Sequence, residues 1–475
     1  MEVEAVLRIL VLLVGFYMAW NIGANDVSNA MGTSVGSGAL TLRRAVLVAA
    51  VLEFCGAFFV GANVSETMQR GLIDIDLFLD TPLIFVIGMC AALLGTSVWL
   101  QIASYFGWPV STTHAIVGAI LGFGIVAGGV SAIEWKEVSS IALSWVISPV
   151  LSGLLSYLIF SILQRQILFA MKPLEATRKL FPWLMCIVFA TFTLSLIFNG
   201  LENLHISLSF PAALGVALLI GLLAALVTFA LIKYLPSPAP LAHVHSLHPP
   251  QSVISLGKAI KHLQRVRVSS QDETHARVYQ ILHDVKALSQ KLRKESSFTE
   301  RTSEYRVVEK MFIYLQILSA CFVAFAHGAN DVANAIGPIA GVLDVLKNGK
   351  MTQAADIPHW LLAFGGLGIV IGLATWGWRV IETIGKKITE LTPTRGFCAE
   401  FGAATTILIA SKLGLPISTT HCLVGAVLGV GLARGFRALN LTTLRDIILS
   451  WIVTIPASAL MSIMFFYLLR FLFRP

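Results

Sequence analysis

Apolar runs long enough to cross a bilayer recur along this chain. A helical crossing needs about 20 apolar residues. Candidates fall near 5–30, 41–63, 81–104, 109–130, 138–163, 182–198 and 208–234, then 307–341, 358–378, 396–411, 416–433 and 446–470. Several are short or rich in Gly, Pro and polar residues, as expected of re-entrant or broken helices. The pattern predicts an all-α polytopic membrane protein with about 12 transmembrane segments. Between the seventh and eighth runs lies a polar stretch, 235–305. Within it Val278, Ile281, Leu282, Val285, Leu288 and Leu292 recur at helical spacing, which predicts an amphipathic helix over 275–294. The same stretch opens with Pro236, Pro238 and Pro240 and then His243, His245 and His248. That histidine spacing permits metal binding, but a solvated leader is the plainer reading.

Composition agrees. Hydrophobic residues make up 56% and charged residues 13%, against about 25% charged in a soluble domain. Such a chain cannot cover a soluble surface with polar groups, which argues against a soluble enzyme, a disordered protein and a nucleic-acid binder. The net charge of +8 sits in short loops and the polar stretch. With the N-terminus outside, the inside loops 31–44, 164–181, 379–395 and 434–445 carry 13 Lys and Arg. The outside loops 64–80, 131–137, 199–207, 342–357 and 412–415 carry 5. The positive-inside rule therefore places both termini outside and the linker 235–305 in the cytosol, in a multi-pass cell (plasma or inner) membrane protein. The six cysteines fall in apolar runs without paired spacing, so no disulfide framework is expected. The acidic start Met1-Glu2-Val3-Glu4 is unlike a signal peptide, and the first run reads as a retained span.

The chain repeats itself. Gly23-Ala24-Asn25-Asp26-Val27-Ser28-Asn29-Ala30 recurs as Gly328-Ala329-Asn330-Asp331-Val332-Ala333-Asn334-Ala335. Pro109-Val110-Ser111-Thr112-Thr113-His114 recurs as Pro416-Ile417-Ser418-Thr419-Thr420-His421. A weaker echo pairs Val64-Ser65-Glu66-Thr67 with Val380-Ile381-Glu382-Thr383. These matches predict a duplication, with a first repeat over 1–163, two additional spans over 164–234, the linker 235–305 and a second repeat over 306–475. Seven crossings separate the two five-segment repeats. An odd number inverts the second, which is the arrangement of many secondary transporters.

The motifs carry chemistry. Asn and Asp inside an apolar span cost several kcal/mol unless satisfied. Each octad holds two Asn and one Asp after a Gly-Ala pair: Asn25, Asp26 and Asn29, and Asn330, Asp331 and Asn334. A helix broken there would add free carbonyls to these oxygens and form a hard-cation site of the Na⁺ type at Asn25/Asp26 and at Asn330/Asp331. The alternative is that Asp26 and Asp331 only bridge helices. Each hexad opens an apolar helix with Ser and Thr, so backbone amides and hydroxyls gather at a helix N-terminus, an anion site. The alternative is ordinary capping. His114 and His421 fit orienting donors, proton carriers or structural residues. Glu53 and Glu400 are further buried acids, and they are not repeat equivalents: Glu53 aligns with Ile369, and Glu400 with Leu93. No Lys or Arg lies mid-span, so the charge of a bound anion calls for co-bound cations.

Octads, hexads, both glutamates and the cytosolic linker together resemble the inorganic phosphate transporter (PiT) family, over nearly the whole membrane portion. The resemblance implies phosphate import coupled to Na⁺ or H⁺ by alternating access. Matching of the motifs implies phosphate contacts at Ser111, Thr112, Thr113, Ser418, Thr419 and Thr420. It also implies cation roles for Asn25, Asp26, Asn330 and Asp331, with Glu53 and Glu400 needed for coupling. Na⁺ or H⁺ is then co-transported, no enzymatic cofactor is expected, and a homodimer is compatible. Rival readings are a permease for sulfate or another tetrahedral oxyanion, and a transport-dead phosphate sensor. A membrane hydrolase built on Ser111 and His114 lacks a fixed acid nearby, so the chain is not expected to be an enzyme.

Overall fold

The structure is a computed structural model. It describes residues 2–62, 64–65, 72–78, 80–170, 172–200, 208–232, 256–257, 259–260, 262–264, 266, 272–299, 303–348, 357–378, 380–381, 389–413, 415–435 and 438–473. His243, His245 and His248, the three early linker prolines, and the Glu66-Thr67 and Glu382-Thr383 parts of the weak echo lie outside the described residues.

Among the described residues the architecture is helical. Extended backbone pairs only in an isolated antiparallel bridge between Ile73 and Ile133. The first half holds α1 (Glu2–Gly36), α2 (Leu42–Val60), α3 (Pro82–Phe106), α4 (Thr112–Gly128) and α5 (Trp135–Leu163). Then come α6 (Pro173–Gly200), α7 (Phe210–Leu231) and α8 (Asp272–Thr299). The second half holds α9 (Ser303–Asp331), α10 (Ala333–Asn348), α11 (His359–Thr375), α12 (Pro393–Lys412), α13 (Thr419–Arg434) and α14 (Leu441–Phe473). Among the described residues, seven helical stretches are long and apolar enough to cross a membrane, namely α1, α3, α5, α6, α7, α14 and the run Glu304–Asn348 that joins α9 to α10. The helices α4, α11 and α13 are apolar but shorter.

Each apolar run of the sequence coincides with helix, with one difference at the octads. The first octad lies inside unbroken α1, so no helix break accompanies Gly23-Ala24. The second is interrupted at Val332, between α9 and α10, one residue past Asp331. Only this second segment goes on to a proline, Pro338, inside α10; the matching first-half position is Thr33.

The helices form two compact units. One comprises Met1–Phe160, Met185–Ala224 and Phe312–Pro475 and contains both octads and both hexads. The other comprises Ser161–Leu184 and Ala225–Met311. In that second unit α8 is amphipathic, but its covered stripe is narrow. Val278, Leu282 and Ser289 are buried, while Ile281 and Leu288 are exposed. There, too, the Tyr305 hydroxyl donates to the Leu168 carbonyl at 2.6 Å.

The first unit is built on close helix contacts made through small residues, as expected where lipid offers no hydrophobic drive between helices. The contacts come in matched pairs. Gly23 lies against the Ile369 carbonyl, and Gly328 against the Glu53 carbonyl. Gly118 meets Ile455 and Gly122 meets Ala459, where α4 packs on α14. Gly425 meets Pro149 and Gly429 meets Gly153, where α13 packs on α5. A side chain at Gly23 or Gly328 would overlap the backbone of the neighbouring helix. Gly23→Ala and Gly328→Ala should therefore each destabilise the protein by about 1–3 kcal/mol. The expected readout is a lower melting temperature in detergent; unchanged melting in both would show that these helices are free to move apart.

Candidate functional site

The two hexads fold alike because their sequences dictate it. Proline ends each preceding segment, and the serine that follows takes an extended backbone and caps the next helix. Ser111 accepts from the His114 amide and Ser418 from the His421 amide, at 3.2 Å in each case. Thr112 and Thr419 then open α4 and α13 with their hydroxyls on the first turn. The serine oxygens are thus used as caps, while their hydroxyl hydrogens remain available as donors. Thr113 donates to the Ile417 carbonyl at 3.0 Å, and the single Thr420 hydroxyl hydrogen has the Val110 carbonyl and Asp26 Oδ1 as alternative acceptors, each at 3.3 Å, so each turn leans on the other hexad.

Against these turns stand the octads, whose asparagine amides cross between the halves. Asn29 on α1 donates to Thr420 at 2.8 Å and to Thr419 at 3.5 Å. Asn334 on α10 donates to Thr112 at 3.3 Å and to Thr113 at 3.4 Å. Thr419 donates to Asp331 Oδ2 at 2.8 Å and Thr420 to Asp26 Oδ1 at 3.3 Å. Asn25 and Asn330 point elsewhere and tie α1 and α9 to the ends of α3 and α12, through Ser104 at 3.0 Å and Ser411 at 3.1 Å. All of these octad and hexad side chains are buried. Four oxygens are left without a hydrogen-bond donor: Asn25 Oδ1, Asp26 Oδ2, Asn29 Oδ1 and Asp331 Oδ1. Buried carboxylate and amide oxygens without donors are suitable ligands for a hard cation.

At this centre stands a residue that matching of the repeats passes over. His327, on the last full turn of α9, is fully buried. Its Nε2 lies 2.9 Å from Asp331 Oδ2 and 3.9 Å from Asp26 Oδ2, and its Nδ1 lies 3.4 Å from Glu53 Oε1. The contacts are close but not in line for hydrogen bonds, since both ring nitrogens lack a properly aimed partner. Asp26, His327 and Asp331 bring their ligand atoms within 4.8 Å of one another, the span of a small metal site. His327 occupies the position of Ile22 in the first half, and its partner Glu53 that of Ile369. A basic group mid-span is therefore present after all, as a histidine outside the octad. The signal in the sequence is an ionisable residue inside an apolar run, directly ahead of Gly328.

Glu400 stands apart from this cluster. It accepts from Thr33 at 2.5 Å, Ser34 at 2.7 Å, Ser319 at 2.5 Å and Gln316 at 3.3 Å. None of these partners belongs to an octad or a hexad. Their counterparts in the other half are Pro338, Ile339, Val14, Val11 and, for Glu400 itself, Leu93. Both halves thus contribute to solvating this acid, while the positions equivalent to it and to its partners are apolar.

Replacing His327 by Leu would strip Asp331, Asp26 and Glu53 of their basic partner. Breaking a buried pair on one side costs about 3–5 kcal/mol. His327→Leu should melt well below the wild type, and His327→Leu/Asp331→Asn should recover part of the loss. Equal melting of the two variants would mean that the histidine does not balance the acid.

Comparison with known proteins converges on one description. A model of the phosphate transporter family matches residues 22–462. A Chlamydia pneumoniae relative is 48% identical over 472 residues, covering 98% of this chain and 99% of its own. The Arabidopsis thaliana protein named inorganic phosphate transporter 2-1, chloroplastic, is 44% identical over 456 residues, covering 96% of this chain and 70% of its own. A solved structure titled the sodium-dependent phosphate transporter is similar with a TM-score of 0.76 and 36% identity, covering 98% of this chain and 99% of that one.

Proposed function

The chain belongs to the phosphate transporter family, and on that premise we propose that it is a secondary transporter importing inorganic phosphate together with a cation, Na⁺ first among the candidates. The observation that carries the coupling is the sharing of atoms. Thr419 spends its hydroxyl hydrogen on Asp331, and Thr420 divides its own between Asp26 and the Val110 carbonyl. A cation on those carboxylates competes for the same oxygens and turns the hydroxyl hydrogens toward an anion. Cation and phosphate then each raise the affinity for the other, by the same factor at equilibrium.

In this reading Ser111, Thr112, Thr113, Ser418, Thr419 and Thr420 donate to phosphate, helped by the amides at the starts of α4 and α13. Asn25, Asp26, Asn29, Asn330, Asp331 and Asn334 hold the cation. Glu53 couples through His327, and Glu400 through the helices it joins. The oxygen ligands without donors support Na⁺, and the structural neighbour is titled sodium-dependent. H⁺ in place of Na⁺ is a second reading, favoured by His327 between two acids.

The matched contacts also support the architecture: about 12 crossings, inverted repeats over 1–163 and 306–475, additional spans over 164–234 and a cytosolic linker over 235–305. Both termini then face outward in a cell membrane. Gly118 on Ile455 mirrors Gly425 on Pro149, and Asn29 on Thr420 mirrors Asn334 on Thr113. Exchanging the conformations of two such halves gives alternating access.

The decisive experiment is phosphate uptake into proteoliposomes with Na⁺ and pH gradients imposed separately. Uptake should follow the Na⁺ gradient. Indifference to both gradients would replace symport by a channel or uniport. Thr112→Val and Thr420→Val keep the volume but remove a donor. Each should weaken apparent phosphate affinity by about tenfold or more, as a hydrogen bond to a charged group is worth about 1.5–3 kcal/mol. Orientation is checked with exposed cysteines: Lys286→Cys should react with an impermeant thiol reagent from the cytosolic side alone and Asp80→Cys from the outside alone. Labelling of both from one face would sink the inverted arrangement.

A further inference from the structure

His114 and His421, the last residues of the hexads, form a built pair directly behind the threonine turns. Their rings lie 4.4 Å apart between centroids at 73°. His114 Nδ1 faces the Trp451 carbonyl at 3.5 Å, and His421 Nδ1 faces the Trp145 carbonyl at 3.0 Å. A carbonyl can only accept, so each Nδ1 carries the hydrogen. In a neutral ring, Nε2 is then a bare lone pair. Both Nε2 atoms are buried with no hydrogen-bond partner, on side chains only 5% and 4% exposed. Around them lie indole faces. His421 stacks on Trp451 at 3.6 Å, and His114 tilts against Trp145 at 3.9 Å. Two buried lone pairs of one sign, enclosed by two electron-rich rings, form a surrounding that attracts positive charge.

We propose that His114 and His421 together form a site for one proton, taken up from water, which places a single positive charge behind the phosphate turns. One N–H bond forms at Nε2 of one ring, and no bond in the protein breaks. A second proton is opposed by the first, because two imidazolium rings would then lie 4.4 Å apart in a buried space. The proposal rests on the phosphate reading, since the charge answers the anion that the turns above it would hold.

The groups around the pair leave it as the basic centre there. On their own helices the other titratable side chains are Cys422, next to His421, and Arg434 at the far end of α13. On α5 they are Lys136, Glu137 and Tyr157, each two turns or more from Trp145. On α14, Arg445 and Asp446 are exposed and pair with each other at 2.9 Å, and Tyr467 and Arg470 are remote. On α3 they are Cys90 and Tyr105. On α12, Glu400 is held by hydroxyls, and Arg395 and Lys412 lie at its ends. Asp26 and Asp331 reach Thr420 and Thr419, the residues next to His421, and are themselves balanced by His327 on α9 and, at saturating Na⁺, by the cation they would hold.

The test compares the wild type with His114→Gln, His421→Gln and the double variant. Phosphate binding is measured at saturating Na⁺ between about pH 5 and 8, where an imidazole titrates. Phosphate has the same protonation states in every sample, so the ratio of affinities isolates the pair. One linked proton makes wild-type affinity fall, relative to the double variant, by up to about tenfold per pH unit as the pH rises through the titration. In parallel, ¹⁵N spectra of the histidines, with signals identified by either single variant, should show one protonated Nε2 shared by the pair once phosphate is bound. Parallel pH curves would overturn the proposal, as would two bare Nε2 signals at the acid end with phosphate present. A wild type that takes up no phosphate under any gradient removes the phosphate reading instead, and the histidine spectra still decide the proton site.

Discussion

A carboxylate away from water must be surrounded by the protein's own dipoles or by a positive charge, and the four acids Asp26, Glu53, Asp331 and Glu400 are each at most 1% exposed. The penalty for an uncompensated ion is several kcal/mol even after relaxation. Two solutions coexist. Glu400 is solvated by three hydroxyls and an amide drawn from α1 and α9. The other three acids gather around one imidazole and the threonines of α13. The first arrangement is closed: both oxygens have donors. The second is open, with lone pairs left over. Of the two, only the open one leaves room for exchangeable ions.

That difference explains how much could be read from the residues alone. Octads and hexads are visible because each appears twice, and capping chemistry fixes the local fold of the hexads wherever they fall. Their meeting across the halves is consistent with duplicated spacing, but the spacing cannot say which asparagine faces which threonine. His327 escapes such matching because its counterpart is Ile22. The hydroxyl shell of Glu400 escapes for the same reason, its counterparts being Val11, Val14, Pro338 and Ile339. What breaks the symmetry is what a repeat search discards. The break at Val332 and the intact α1 likewise separate two octads that differ at one position, so the surroundings and not the motif decide whether the helix is interrupted. Along α8 the apolar spacing is right, yet burial selects Val278 and Leu282 and leaves Ile281 and Leu288 outside.

The crossed hydrogen bonds have a bearing on descent. Asn29 reaches Thr420, and Asn334 reaches Thr112, so every turn of the centre is finished by the half that does not encode it. A lone half would display hydroxyls with no amide opposite them, and Asp26 would lose the Thr420 hydroxyl, while Asp331 would keep that of Thr419. The missing contacts would return only on meeting a second copy. Fusion of two such copies into one gene removes the dependence on concentration and frees each copy to drift, and the exchanges of Ile22 for His327 and Leu93 for Glu400 are the kind of change that a pair of identical chains could never make on one side alone.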